Sequence, residues 1–104
     1  MNGVYYNMSE KYNIDYLKNN FNLNNRIVFE YQNSFVTIGR QEVETTKDKC
    51  VKFYIAIDKK FDEMEFMLFD TIDELFENVS IEGNRLKEIW TDVDITTVEG
   101  FDEC

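Results

Sequence analysis

The chain contains no histidine and no proline, and only two of its 104 residues are cysteine. Histidine is the usual general base in catalysis and a common ligand of zinc and other transition metals. Its absence argues against catalytic triads and His-ligated metal sites. With no phosphate-binding loop and no spacing of metal ligands either, the sequence predicts a protein that is not an enzyme and needs no cofactor.

Long apolar runs and a cysteine framework are also lacking. No run approaches the roughly 20 apolar residues of a membrane helix, and MNGVYYNMSEKYN has neither the basic start nor the apolar block of a secretory signal. Cys50 and Cys104 are too few for the disulfides of a small secreted domain and are expected to be free thiols. Cys50 opens an alternating apolar run and is predicted to be a strand or core residue. These observations predict a cytoplasmic protein without a membrane partner.

What the chain does have is the composition of a globular domain. Hydrophobic residues make up 43% and aromatic residues 15% of the sequence, a content that disordered chains of high charge lack. A chain of this length supports one modest core. Residues 1–104 are therefore predicted to form a single domain.

Charge is distributed unevenly along the sequence. Residues 1–60 contain nine Lys or Arg and seven Asp or Glu, whereas residues 61–104 contain two and fourteen. The C-terminal half also has the hydrophobic periodicity of folded elements, so its acids are expected on a surface and not in a disordered tail. Such a surface suits a basic partner. The scattered lysines at 47–60 and the net charge of −10 argue against direct binding of nucleic acid.

The N-terminal region predicts a helix over residues 10–20. Ile14, Leu17 and Phe21 recur at helical spacing, and Ser9 is a candidate N-cap. The Asn-rich segment 19–25 is expected to end the helix, because Asn competes for backbone hydrogen bonds. The flanking tyrosines are the candidates for an exposed apolar contact surface; they are Tyr5, Tyr6, Tyr12 and Tyr16.

Four segments predict antiparallel strands, because they are β-branched and aromatic or alternate between apolar and polar residues. They are 26–32, 35–38, 51–57 and 64–68. Asn33-Ser34 predicts the turn of the first hairpin. The connections between these strands are too short for parallel crossovers.

The C-terminal region predicts two helices, near 71–80 and 84–92. Thr71 and Glu74 match a capping box, and apolar residues at helical spacing follow in both segments. The β-branched run 93–98 suits either the end of the second helix or a closing strand. The fold class is therefore α+β, a sheet of about four strands covered by an N-terminal helix and two C-terminal helices. The predicted core consists of Val51, Phe53, Ile55, Ile57, Phe66, Leu68, Leu75, Phe76, Leu86, Ile89 and Trp90.

The acids of the C-terminal helices have two interpretations. Acids in a first helical turn are favoured by the helix dipole and by solvation alone, but only Arg85 and Lys87 offset the fourteen acids of residues 61–104. Neither Asp70–Asp73 nor Asp92–Asp94 has the oxygen count and glycine of a calcium loop. The acids predicted to bind a partner are Asp73, Glu74, Glu77, Glu88 and Asp92.

The predicted function is therefore protein–protein binding. A small, acidic, Asn-rich chain without proline is similar in composition to many bacterial immunity proteins and phage-encoded inhibitors. The first hypothesis is a stoichiometric inhibitor or immunity-type protein whose acidic half docks on a basic partner, such as a nucleic-acid-binding enzyme or a toxin. The alternative is a scaffold domain that self-associates through its aromatic N-terminal segment, with acids that serve only solubility. The protein is expected to be a monomer or a weak homodimer.

Overall fold

A computed structural model describes residues 8–44, 49–59 and 63–101 of the chain. The helices are α1 (Met8–Lys11), α2 (Ile14–Asn20), α3 (Ile72–Asn78) and α4 (Leu86–Ile89), and a 3-10 turn (Trp90–Asp92) follows α4. The strands are β1 (Arg26–Tyr31), β2 (Ser34–Glu44), β3 (Lys49–Lys59), β4 (Glu65–Phe69), β5 (Ser80–Ile81), β6 (Asn84–Arg85) and β7 (Asp94–Glu99). The predicted α+β class is confirmed.

The main sheet has five strands in the order β4-β3-β2-β1-β7, and every neighbouring pair is antiparallel. The fifth strand is β7, which resolves the ambiguity of residues 93–98 in favour of a closing strand. Its β-branched residues pair with β1, and a bulge interrupts the register between Val28 and Phe29. Strands β5 and β6 form a separate two-stranded hairpin.

One face of the main sheet carries the core. Phe53, Ile55 and Ile57 of β3 are buried there, as the alternation in the sequence predicts. Their partners on β2, Ile38 and Val36, are buried with them. The same cluster contains Tyr12, which follows α1, and apolar residues of the later helices and the 3-10 turn, among them Leu17, Ile72, Leu75, Phe76, Leu86, Ile89 and Trp90. Helices α2, α3 and α4 and the 3-10 turn therefore pack on this one face.

The predicted orientation of the fourth strand is wrong. Phe66 and Leu68 are 54% and 41% exposed, whereas Met67 and Phe69, which lie opposite Ile55 and Phe53, are half-buried against the core. Both faces of β4 are apolar, so a period of two cannot tell which one is covered. The prediction that Val51 lies in the core is also wrong: Val51 is only half-buried, because β2 and β3 extend beyond their neighbours at that point.

The predicted N-terminal helix is divided in two. Asn13 interrupts it, because its Oδ1 accepts a hydrogen bond from the Tyr16 backbone N–H at 2.9 Å and caps α2. The prediction that Ser9 is the N-cap is wrong, since Ser9 lies within α1. The expectation that Tyr12 is an exposed contact residue is wrong too, because Tyr12 is 1% exposed. Tyr16 is half-buried, and Tyr5 and Tyr6 lie outside the described residues.

The first hairpin turns one residue earlier than predicted. Its loop is Gln32-Asn33, and Gln32 has a positive φ of 53°. Ser34 is the first residue of β2, is buried, and donates a hydrogen bond from Oγ to Glu82 Oε1 at 2.9 Å. This bond joins the end of the sheet to the loop between β5 and β6, so Ser34 has a tertiary role that local turn preferences do not reveal.

The second C-terminal helix is shorter than the predicted 84–92. Residues 84 and 85 form β6, and the helix begins at Leu86 and ends as the 3-10 turn. Glu82 and Gly83 both have positive φ in the loop between β5 and β6, a conformation that suits a tight hairpin turn. The apolar residues predicted here, Leu86, Ile89 and Trp90, are nevertheless buried.

The capping box predicted for α3 is present, but Glu74 accepts its hydrogen bond from Asp70, the residue before the N-cap, and not from the N-cap itself. Thr71 Oγ1 accepts a hydrogen bond from the Glu74 N–H at 3.1 Å, while Glu74 Oε2 accepts from the backbone N–H of Asp70 at 3.4 Å.

We expect Thr71→Ala to lower the free energy of unfolding by about 1 kcal/mol, because one amide of the first turn loses its partner. Urea denaturation followed by circular dichroism measures this loss. Thr71→Ser keeps the acceptor and is expected to unfold like the wild type; a loss as large as that of Thr71→Ala would contradict the capping role.

Candidate functional site

An open groove lies between the N-terminal helices and the C-terminal helices, on the side of the core away from the sheet. Its volume is about 580 Å³. The residues that line it are Glu10, Asn13, Ile14, Asp15, Asp73, Phe76, Glu77, Lys87, Trp90 and Thr91. They come from α1, α2 and the loop between them, from α3 and α4, and from the 3-10 turn.

The floor of the groove is apolar and firmly held. Trp90 packs edge-to-face on Phe76 with ring centroids 4.9 Å apart, and its Nε1 donates a buried hydrogen bond to the backbone oxygen of Tyr12 at 2.9 Å. Ile14, at the start of α2, packs against the same core. The bond from Trp90 to Tyr12 fixes the N-terminal helices against the 3-10 turn, so the two walls of the groove are joined at its base.

Four carboxylates stand around this floor. Glu10 belongs to α1, Asp15 to α2, and Asp73 and Glu77 to α3. All four residues are exposed. Among the described residues, Lys87 is the one cation that lines the groove. The groove therefore carries an excess of negative charge over an apolar base.

Ion pairs at the rim hold two of these carboxylates. Lys87 Nζ lies 2.7 Å from Glu77 Oε1, and this hydrogen bond, with the attraction between the two charges, holds the pKa of Glu77 below its ordinary value. Lys18 Nζ lies 3.0 Å from Asp73 Oδ2, and the hydrogen bond that Lys18 donates to this carboxylate raises the pKa of Lys18. Both pairs are solvent-exposed, so they contribute little stability and can exchange partners. Glu10 and Asp15 have no ion pair with any described residue.

This arrangement suits recognition of a cation attached to an apolar stem. A Lys or Arg side chain can lay its methylene groups on Ile14 and Trp90 while its charged end lies among the carboxylates. An Arg guanidinium can also stack on an aromatic face. Within the part of the chain that the structure describes, no group of three or more acidic or thiol side chains is close enough to hold a metal ion.

The structure brings together only two of the five acids predicted to bind a partner. Asp73 and Glu77 line the groove, whereas Glu74 turns toward the backbone of Asp70. Glu88 on α4 and Asp92 in the 3-10 turn are exposed outside it. The acids of the C-terminal half are thus spread over more than one side of the helical layer.

Sequence reasoning missed the two acids from the N-terminal half. Glu10 and Asp15 lie in the half of the sequence with a nearly balanced charge, so a comparison of the two halves could not single them out. Their position beside α3 depends on the packing of α2 on α3, which is a tertiary contact. One feature of the sequence could have indicated Asp15: it directly follows Ile14 and is therefore a polar residue at the border of the apolar stripe.

Two of the lysines that the sequence scatters over residues 47–60 form ion pairs on β3. Lys52 pairs with Asp70, and Lys59 pairs with Glu65 at 3.3 Å. Lys47 and Lys60 lie outside the described residues. The two described pairs neutralise cations along β3, and nothing in their arrangement forms a basic surface for phosphate.

Comparison with protein-family models, curated proteins and solved structures gave no match to this chain. Among the described helices, none has the length and apolar composition needed to cross a membrane. The candidate function therefore depends on the site alone.

Proposed function

We propose that this protein acts by binding a basic partner protein through the acidic groove, as a stoichiometric inhibitor or an immunity-type protein does. The observation that carries the proposal is the convergence of four carboxylates from three helices around an apolar floor, with Lys87 as the one cation among the described residues that line the groove. Nucleic-acid-binding enzymes and toxins present clustered Lys and Arg, and they are the class of partner with the matching charge.

The groove adds an apolar contact to the electrostatic one. Buried aromatic floors and charged rims are typical of sites that anchor one side chain of a partner. The net charge of −10 attracts a basic protein from a distance and raises the rate of association. Binding is therefore expected to weaken as salt is added, because salt screens the exposed carboxylates.

The alternative, self-association through the aromatic N-terminal segment, has less support. Tyr12 is buried and contacts Tyr16 and Phe101 within the same chain. These rings contribute to the core beneath α2, so Tyr12 offers no surface to a second copy and Tyr16, which is half-buried, offers only part of its ring. Under this alternative the acids serve only solubility. That role does not account for their arrangement around an apolar floor.

A peptide-display library screened on the immobilised protein tests the groove. We expect the recovered peptides to carry Arg or Lys beside an apolar residue. A selected peptide should bind at least about tenfold more weakly to the variant Glu10→Gln/Asp15→Asn/Asp73→Asn, a loss of roughly 1.4 kcal/mol in binding. Isothermal titration calorimetry measures the affinity, and circular dichroism checks that the fold is kept.

The matched control removes three acids outside the groove, Glu74→Gln/Glu88→Gln/Asp92→Asn. It changes the net charge by the same amount, so a general charge effect would weaken both variants equally. We expect the control to keep the affinity within about twofold at moderate salt, because its acids do not line the groove and salt screens exposed charges. Equal losses in the two variants, or recovered peptides without cations, would refute the groove as the site.

A further inference from the structure

The second face of the main sheet is uncovered. No described helix packs on it, and the large side chains that it presents include Phe35 on β2, Tyr54 on β3, and Phe66 and Leu68 on β4. We call this the open face. Exposed apolar patches of this kind on a soluble domain commonly mark interaction sites.

The apolar part of the open face lies toward β4. Phe66 stacks on Tyr54 with centroids 5.8 Å apart and an interplanar angle of 18°. Gly39, on the neighbouring strand, leaves room for the Tyr54 ring, since a Cβ at that position would overlap it. The opposite edge strand, β7, presents Asp94, Thr97 and Glu99 to the same face. The open face is thus apolar at one edge of the sheet and polar at the other.

β4 is also an unpaired edge. It is hydrogen-bonded to β3 alone among the described strands, so its outer backbone N–H and C=O groups can accept a further strand. Its sequence, EFMLF, has none of the lysines that commonly protect such edges. The single charge, Glu65, is paired with Lys59.

The charge around this edge specifies the kind of strand that fits. Three acids lie in or beside β4, Glu63, Glu65 and Asp70, and the two lysines of β3 that approach the strand already pair with Glu65 and Asp70. Glu63 precedes β4 and Asp70 follows it, so acids stand at both ends of the strand. A second copy of this chain would also carry a net charge of −10, so two copies repel each other. A basic segment meets no such repulsion.

We propose that β4 accepts an extended basic segment of a partner protein as a sixth strand, with apolar side chains against Phe66 and Leu68 and a cation near Glu63. The backbone bonds supply affinity that is independent of sequence, and the alternating side chains and the terminal cation supply specificity. Neither β4 nor Glu63 lines the acidic groove, and the proposal does not depend on that site.

The test uses short peptides of alternating Val and Thr that end in Lys, in Glu, or in Lys with N-methylated backbone amides. Backbone amide shifts and hydrogen exchange of the full chain report where each peptide binds. We expect the Lys-ended peptide to protect amides of residues 65–69, the Glu-ended peptide to bind at least about tenfold more weakly, and the N-methylated peptide to give no protection, because it cannot pair.

Side-chain variants complete the test. The variant Phe66→Thr/Leu68→Thr is expected to bind the Lys-ended peptide about tenfold more weakly. Phe35→Thr changes an equally exposed residue on β2 and should leave the affinity unchanged. The variant Glu10→Gln/Asp15→Asn/Asp73→Asn should also bind this peptide normally, which separates the edge from the groove. Protection outside β4, equal binding of the Glu-ended peptide, or a dimer of the chain alone that Phe66→Thr/Leu68→Thr dissociates would overturn the proposal.

Discussion

Trp90→Ala is expected to lower the free energy of unfolding by about 3–5 kcal/mol, as for other buried aromatic residues. Trp90 is 3% exposed and lies between Phe29 and Phe76, with edge-to-face centroid distances of 5.2 and 4.9 Å. The substitution leaves a cavity between the sheet and α3. It also removes the donor that satisfies the buried backbone oxygen of Tyr12, which costs more than the lost packing alone.

Urea denaturation followed by far-ultraviolet circular dichroism measures the effect, because Trp90 is the only tryptophan and its removal abolishes the fluorescence signal. Thermal unfolding should shift down by roughly 12 °C or more, at about 4 °C or more per kcal/mol for a domain of this size. Trp90→Phe keeps most of the aromatic packing and is expected to lose less. An unfolding curve unchanged by Trp90→Ala would refute the core and, with it, the floor of the groove.

The strand β3 shows how far the sequence determines the fold. Phe53, Ile55 and Ile57 alternate with less apolar residues, so the buried face could be predicted before the structure was known. β4 has apolar residues on both faces, and the alternation predicted the wrong one. The sheet register decides the matter by placing Met67 opposite Ile55, and register is a property of two strands together.

The groove was less predictable than the fold. The charge of the C-terminal half pointed to Asp73 and Glu77, and both line the groove. Glu10 and Asp15 join them only because Asn13 divides the N-terminal helix and α2 packs on α3. A sequence comparison by halves measures charge along the chain, whereas a binding site depends on charge in space.

Gly100→Ala is expected to destabilise the protein by about 2–4 kcal/mol, for two reasons that add. Gly100 has a φ of +81°, which costs an L-residue roughly 1–2 kcal/mol. A Cβ at this position would also lie 2.7 Å from the backbone oxygen of Asn24 and 2.5 Å from Asn25 Nδ2. The backbone at Asn24 cannot move aside cheaply, because Asn25 is buried and its Oδ1 accepts a hydrogen bond from the Asn22 N–H.

Gly83→Ala provides the matched control, because Gly83 has the same φ of +81° with no atom within 4 Å of the added Cβ. It measures backbone strain alone, so the difference between the two variants measures the contact with the Asn-rich connector.

That contact precedes Phe101, whose ring packs on Tyr12 and Phe21 beneath the helices that line the groove. We therefore expect Gly100→Ala, and not Gly83→Ala, to loosen the N-terminal helices and expose the Trp90 side chain to fluorescence quenching by acrylamide. Equal destabilisation by the two variants in urea denaturation would show that the connector does not position those helices.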